Sequence, residues 1–318
     1  MATEFELIQR YFTREPRGAV LGIGDDAAVL KPSADRDLVV TTDTLVEGNH
    51  FAADADPEAL GYKALAVNLS DLAAMGARPR WTLLALTLPK ADDDWLSRFA
   101  RGFLALADAF EVDLIGGDTT RGPLSICVTA LGEVACAAAL RRDGARAGDA
   151  IWVSGVIGSA GLALQHLKGE VRLKEPDLGK CLAKLHTPKP RVALGQRLAG
   201  IATSAIDVSD GLVADLGHIA ERSKVRAVVE YPMVPCISSA VSIKGHDPVR
   251  RAILGGGDDY ELCFTVPPDR ARDLAKLSGE IGVGLTRIGR IEAGNGVVVL
   301  DARGVAIPVG EAGFDHFR

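Results

Sequence analysis

The sequence predicts a mixed α/β and α+β protein built from two domains. The chain has 318 residues, and domains usually run to about 100–200 residues each. Short apolar runs alternate with segments of helical periodicity in both halves. A stretch rich in alanine, glycine and arginine interrupts that alternation near 137–149, so the expected domains are 1–137 and 149–318 with 138–148 as linker.

The elements follow in order. Residues 4–12 have the spacing of a short amphipathic helix. A glycine turn at Gly22-Ile-Gly-Asp-Asp leads to Leu38-Val-Val-Thr-Thr, which reads as a buried strand with Asp43 just beyond it. From Pro57 to Met75, Leu65, Leu69, Leu72 and Met75 form a helical stripe, while Asn68 and Asp71 share another face. Trp81 to Leu88 is strand-like. Asp92, Asp93 and Asp94 complement the dipole at the start of a helix that buries Trp95, Phe99, Leu106 and Phe110. Asp113-Leu-Ile runs into Gly116-Gly-Asp, and 124–131 is the next strand.

Beyond the linker a strand begins at Ile151, and helices are expected at 159–168, 177–186 and 191–200. A short strand at 205–208 ends at Ser209-Asp-Gly. Leu212, Leu216 and Ile219 mark a helix for which Ser209 or Asp210 would be the cap. Strands at 225–231, 261–266, 285–292 and 296–301, a glycine loop at 255–257 and a helix at 269–278 complete the chain.

Composition narrows the function. Hydrophobic residues make up 47% of the chain, enough for a packed core, and the formal net charge is −6. No Lys/Arg cluster forms an electrostatic footprint for nucleic acid. No apolar run approaches the ~18 residues of a membrane span, and the start lacks a basic, apolar leader, so a cytoplasmic protein without membrane partners is expected. The five cysteines form no Cys-x-x-Cys pair and read as small buried hydrophobes in a reducing compartment. The histidines lack zinc-ligand spacing. There is no Gly-x-x-x-x-Gly-Lys-Ser/Thr loop, no complete dinucleotide loop and no Gly-x-Ser-x-Gly elbow.

Six aspartates remain: Asp26, Asp43, Asp71, Asp118, Asp207 and Asp210 each lie where an apolar run ends, where a glycine turn begins, or within an apolar helix. Any one could cap a turn. Asp71 is the least ordinary, a carboxylate in a helix of largely apolar positions. Gathered together they would repel, by about 4 kcal/mol for two bare charges ~4 Å apart at an effective dielectric near 20. Hard divalent cations relieve that repulsion, and Mg²⁺ favours a few carboxylates plus substrate phosphates. The pattern points to metal-dependent phosphate chemistry.

Taken in order, GIGDDAAVL (22–30), TTDTLVEGNHF (41–51), YKALAVNLSDLAAMGARP (62–79), LIGGDTTRGPLS (114–125), AIDVSDGLVADLGHI (205–219), GGDDYELCFTV (256–266) and GFDHF (313–317) resemble the thiamine-monophosphate kinase family. That family belongs to a superfamily with aminoimidazole ribonucleotide synthetase and selenophosphate synthetase. The resemblance implies a synthetase-like fold, with an N-terminal α/β domain whose sheets pair in a homodimer and a C-terminal α+β domain. It implies Mg²⁺-dependent in-line transfer from ATP to thiamine monophosphate. By position, Asp26, Thr41, Thr42, Asp43, Asp71, Asp118, Asp207 and Asp210 look like metal ligands. Asp43, Asp71 and Asp210 would be the most critical for catalysis. Gly117, Asp118, Arg142 and Ser209 look like ATP contacts, and His50, Asp258 and Phe314 like substrate contacts. Where the family pattern carries Glu this chain has Asp258, one methylene shorter. Two other expectations stand beside this one: a superfamily member with a different acceptor, and a non-catalytic Mg-ATP-binding regulator.

Overall fold

The computed structural model describes residues 3–308 and Gly313. Its chain divides into two compact units. Unit 1 takes residues up to Leu72 together with Ala77–Ala137; unit 2 takes Ala73–Gly76 and the residues from Ala138 onward.

Unit 1 opens with α1 (Glu4–Tyr11), whose start is closed by a capping box between Thr3 and Glu6. Its sheet contains β1 (Arg36–Val46), β2 (Arg78–Leu88), β3 (Asp113–Arg121) and β4 (Ser125–Ala135) in the order β1-β4-β2-β3. The β1–β4 and β4–β2 pairs are antiparallel, whereas β2 and β3 run parallel. Helix α2 (Pro57–Ala74) is buried on nearly every side, and α3 (Asp93–Ala109) is capped by Asp92, whose side chain accepts from the Trp95 amide. The two helices approach so closely that a Cβ on Gly102 would lie 1.8 Å from the Glu58 carbonyl oxygen. Leu65, Leu69, Trp81, Phe99 and Phe103 fill the core.

Two strand readings change. Val40 is 58% exposed, so β1 is not a buried strand; one of its faces is open. Asp43 and Asp118 lie inside β1 and β3, not in turns after them, because hydrogen bonding continues through the threonine-rich segments.

Unit 2 has the six-stranded sheet β10-β7-β9-β5-β8-β6. Its strands are β5 (Ala150–Ser154), β6 (Ser204–Asp207), β7 (Arg226–Glu230), β8 (Leu262–Val266), β9 (Leu285–Glu292) and β10 (Gly296–Leu300). Its helices are α4 (Ser159–Leu167), α5 (Asp177–His186), α6 (Val192–Leu198), α7 (Leu212–Ser223), α8 (Ser238–Val241), α9 (Asp247–Gly255) and α10 (Ala271–Ile281). Ile151, Leu162, Ile206, Leu216, Ile219 and Cys263 belong to one continuous core. All five cysteines are free thiols; Cys181 and Cys263 are buried as expected, while Cys136 is exposed. No helix among the described residues is long and apolar enough to cross a membrane.

Candidate active site

In unit 1 the candidate residues sort onto two faces of one sheet. The Thr41 hydroxyl donates to Asp71 Oδ2, linking β1 to α2. Asp43, two residues along β1, shares the face of Thr41. Across the sheet Asp43 lies in one row with Val128, Leu84 and Gly117. Asp118 lies in the next row, with Ala85, Cys127 and Thr44, and so projects to the opposite face. Thr42 is on that second face too, its hydroxyl 2.8 Å from that of Thr129. Gly117 has φ +148°, and a Cβ there would sit 1.8 Å from the Leu84 carbonyl oxygen, so only glycine fits.

The remaining unit 1 candidates are in loops. Asp26 is exposed, and its amide donates to Asp25 Oδ1 at 2.9 Å. This excursion is closed at its base by the Val20 amide bonding the Val29 carbonyl at 2.8 Å. His50 sits in the turn after β1, where its Nδ1 accepts from the Val46 amide at 3.0 Å.

In unit 2, Asp207 is buried at the end of β6, and Ser209 and Asp210 are half-buried in the loop before α7. Neither Ser209 nor Asp210 caps that helix; its N-cap is Gly211. A residue that the sequence reading missed holds the loop. Asp215 Oδ2 accepts from the amides of Ser209, Asp210 and Gly211 at 3.0, 3.1 and 3.1 Å. Burial, and then the Asp210 charge, push the Asp215 carboxyl up to about 7. The available signal was an aspartate on the face of Leu212, Leu216 and Ile219.

A second loop is laced to the first. Asp258 N donates to Ser209 O and Tyr260 N to Val208 O, each at 2.8 Å, and Val208 N returns a 2.8 Å bond to Glu261 O. Asp258 is half-buried, whereas Asp259 and Glu261 point inward, 0% and 1% exposed. Asp259 accepts from the amides of Gly158 and Ala160 at the start of α4. Its burial is the largest influence and pushes the carboxyl up to about 7. Glu261 accepts a bidentate fork from Arg191 at 2.6 and 2.5 Å, with Lys184 and the Ser154 hydroxyl as further partners. Burial raises its carboxyl, but Arg191 and Lys184 together outweigh burial and hold it below the ordinary value.

Arg142 is exposed, and its carbonyl accepts from the Ser223 hydroxyl at 2.8 Å. Phe314 lies outside the described residues. Its neighbour Gly313 runs against the first loop: a Cβ there would lie 3.1 Å from the Asp210 carbonyl oxygen.

Among the described residues, no group of three or more His, Cys, Asp or Glu side chains is placed to hold a metal ion on its own. The donors are nevertheless hard oxygens, and Thr41 with Asp71 sets a hydroxyl beside a carboxylate. Mg²⁺ is commonly bound by one or two carboxylates, completed by water and substrate phosphates, so such a donor set suits it.

Residues 24–134 match the N-terminal domain, and 146–301 the C-terminal domain, of AIR synthase related proteins. The thiamine-monophosphate kinase of Escherichia coli strain K12 is 44% identical over 320 residues, spanning 99% of this chain and 98% of that protein. The chain belongs to the thiamine-monophosphate kinase family. The crystal structure of a thiamine-monophosphate kinase from Stenotrophomonas maltophilia K279a is 51% identical with a TM-score of 0.85, covering 92% of this chain and 93% of that one. AaThiL complexed with AMPPCP and TMP is 33% identical with a TM-score of 0.78, covering 93% and 92%. This kinase family has the two-domain architecture of mixed helix and sheet that the sequence predicts.

Proposed function

We infer that this chain transfers the γ-phosphoryl group of ATP to thiamine monophosphate, giving ADP and thiamine diphosphate. The observation that carries this reading is the near-complete alignment with a thiamine-monophosphate kinase. A phosphate oxygen of thiamine monophosphate attacks the γ-phosphorus, and the bond to the β,γ-bridging oxygen breaks as ADP leaves. That nucleophile is already anionic near neutral pH, so no strong general base is needed. The task is to bring two anions together in line, which suits a motif set in which carboxylates far outnumber candidate bases.

Mg²⁺, when bound, would offset the charge spread over the transferred group. In unit 1, Thr41, Asp43 and Asp71 would hold such an ion on one side of the sheet, with Thr42 and Asp118 as proposed ligands on the other face and Asp26 in its loop; in unit 2, Asp207 and Asp210 are the proposed ligands. Gly117 lets backbone approach the nucleotide closely, with Asp118, Arg142 and Ser209 as further ATP contacts. His50, Asp258 and Phe314 would receive thiamine monophosphate, whose cationic ring suits a carboxylate and an aromatic face.

Residues 138–148 would join the two domains, and the working compartment would be the cytoplasm. A homodimer is also proposed. It is supported by the open face of the unit 1 sheet, where Leu38, Val40 and Val46 are 44%, 58% and 39% exposed.

The test is to mix purified protein, Mg-ATP and thiamine monophosphate and quantify both products by chromatography. One-to-one appearance of ADP and thiamine diphosphate is expected. ADP without thiamine diphosphate would move the acceptor elsewhere in the superfamily. Nucleotide binding with neither product would leave only a regulator.

A further inference from the structure

We propose that Tyr260 is a specificity-determining positioning residue, whose hydroxyl fixes the Asp258 carboxylate for recognition of the cationic ring of thiamine monophosphate. The inference rests on the assignment of Asp258 to that substrate. Its starting point is backbone strain. Asp258 and Tyr260 are both left-handed, with φ 64° and 49°. Aspartate tolerates that region, but a bulky tyrosine seldom enters it.

The fold holds this conformation from both sides. The amides of Asp258 and Tyr260 are bound to the Ser209 and Val208 carbonyls. The intervening Asp259 is anchored to the start of α4, and Glu261 is held by Arg191 and Lys184. These anchors fix the backbone on either side of Tyr260. The Tyr260 hydroxyl donates to Asp258 Oδ1 at 3.0 Å. Tyr260 is only 8% exposed, so a rigid, packed ring aims that donor. A hydroxyl–carboxylate bond of this kind restricts the rotamers of a short side chain. A buried tyrosine hydroxyl also needs some partner. A purely structural role would therefore affect stability without discriminating between the two substrates.

The experiment is a double-mutant cycle with Asp258→Asn, Tyr260→Phe and the combination. The Michaelis constants for thiamine monophosphate and ATP and the thermal midpoint are measured for each. Asparagine suits the left-handed backbone at 258, and phenylalanine preserves the ring. Tyr260→Phe is expected to raise the Michaelis constant for thiamine monophosphate roughly tenfold, with that for ATP within about twofold. On the Asp258→Asn background it should add no further substrate-specific loss. Equal changes in both constants, a lowered midpoint alone, or full additivity would overturn the inference. If Asp258→Asn itself leaves the thiamine monophosphate constant unchanged, the assignment of Asp258 fails instead, and the two failures are distinct.

Discussion

The amide of Asp258 donates to the carbonyl of Ser209 at 2.8 Å, and this bond joins the loop of Ser209 and Asp210 to the loop of Asp258. Displacing one loop therefore displaces the other. Gly257 lies at their closest approach, where an added Cβ would be 2.1 Å from the Ser209 carbonyl oxygen.

Gly257→Ala should force the two loops apart. The expected cost is about 1–3 kcal/mol of stability, with turnover falling and both Michaelis constants rising together. Urea denaturation and steady-state kinetics check it. An unchanged unfolding midpoint would mean that the loops part without resistance.

Asp71→Asn should raise the Mg²⁺ concentration for half-maximal activity by at least about tenfold, and Thr41→Val by less. Asp71 is proposed to supply a metal oxygen, whereas the Thr41 hydroxyl donates to that carboxylate. Activity titrated against Mg²⁺ at fixed ATP is the measurement. Near-normal turnover of Asp71→Asn at limiting Mg²⁺ would rule out a metal role for this carboxylate.

Glu261→Gln removes the carboxylate that bridges two largely buried cations, Arg191 and Lys184. It should cost about 3–5 kcal/mol, because breaking a buried pair strands the remaining charge. Arg191→Met added to Glu261→Gln should recover part of that loss. Chemical denaturation of the three variants would show whether the effects couple.

Asp259 gives a pH dependence of definite sign. Its folded carboxyl is raised from 3.8 to about 7, so between those values the native state binds more protons than the unfolded state. The contribution is most favourable below pH ~4, declines as pH rises towards 7, and is level above that. Relative to Asp259→Asn, the wild type should lose thermal stability between pH 5 and 7.5. Parallel melting curves across that window would refute the assignment.

Much of the fold was legible because periodicity and caps agreed, as in α3, where Asp92 precedes a clear apolar stripe. Helix α9 was missed although Val249, Ala252 and Ile253 have helical spacing; Pro248 at its start and two arginines disguised it. The extents of β1 and β3 were misread for another reason. Polar residues such as Thr42 and Asp118 read as strand ends in the sequence, yet a strand continues while its backbone has paired neighbours. The candidate aspartates stood out by sequence context. The placement of Asp43 and Asp118 on opposite faces of one sheet did not, because that depends on register across four strands. Asp215 and Glu261 were overlooked because their work is to hold backbone and cations inside unit 2, which adjacent residues in the sequence do not reveal.

Asp215 has one more consequence. Three successive amides converging on one point form a concavity of the kind that captures phosphate or other inorganic anions. Here the chain fills it with a carboxylate of its own. The segment from Ser209 to Gly211 is thus shaped by an internal counterpart of a ligand, and a nucleotide bound at Ser209, as proposed, would meet a preorganised surface. The entropy of ordering these residues would then fall on the folding equilibrium and not on each cycle of binding and release.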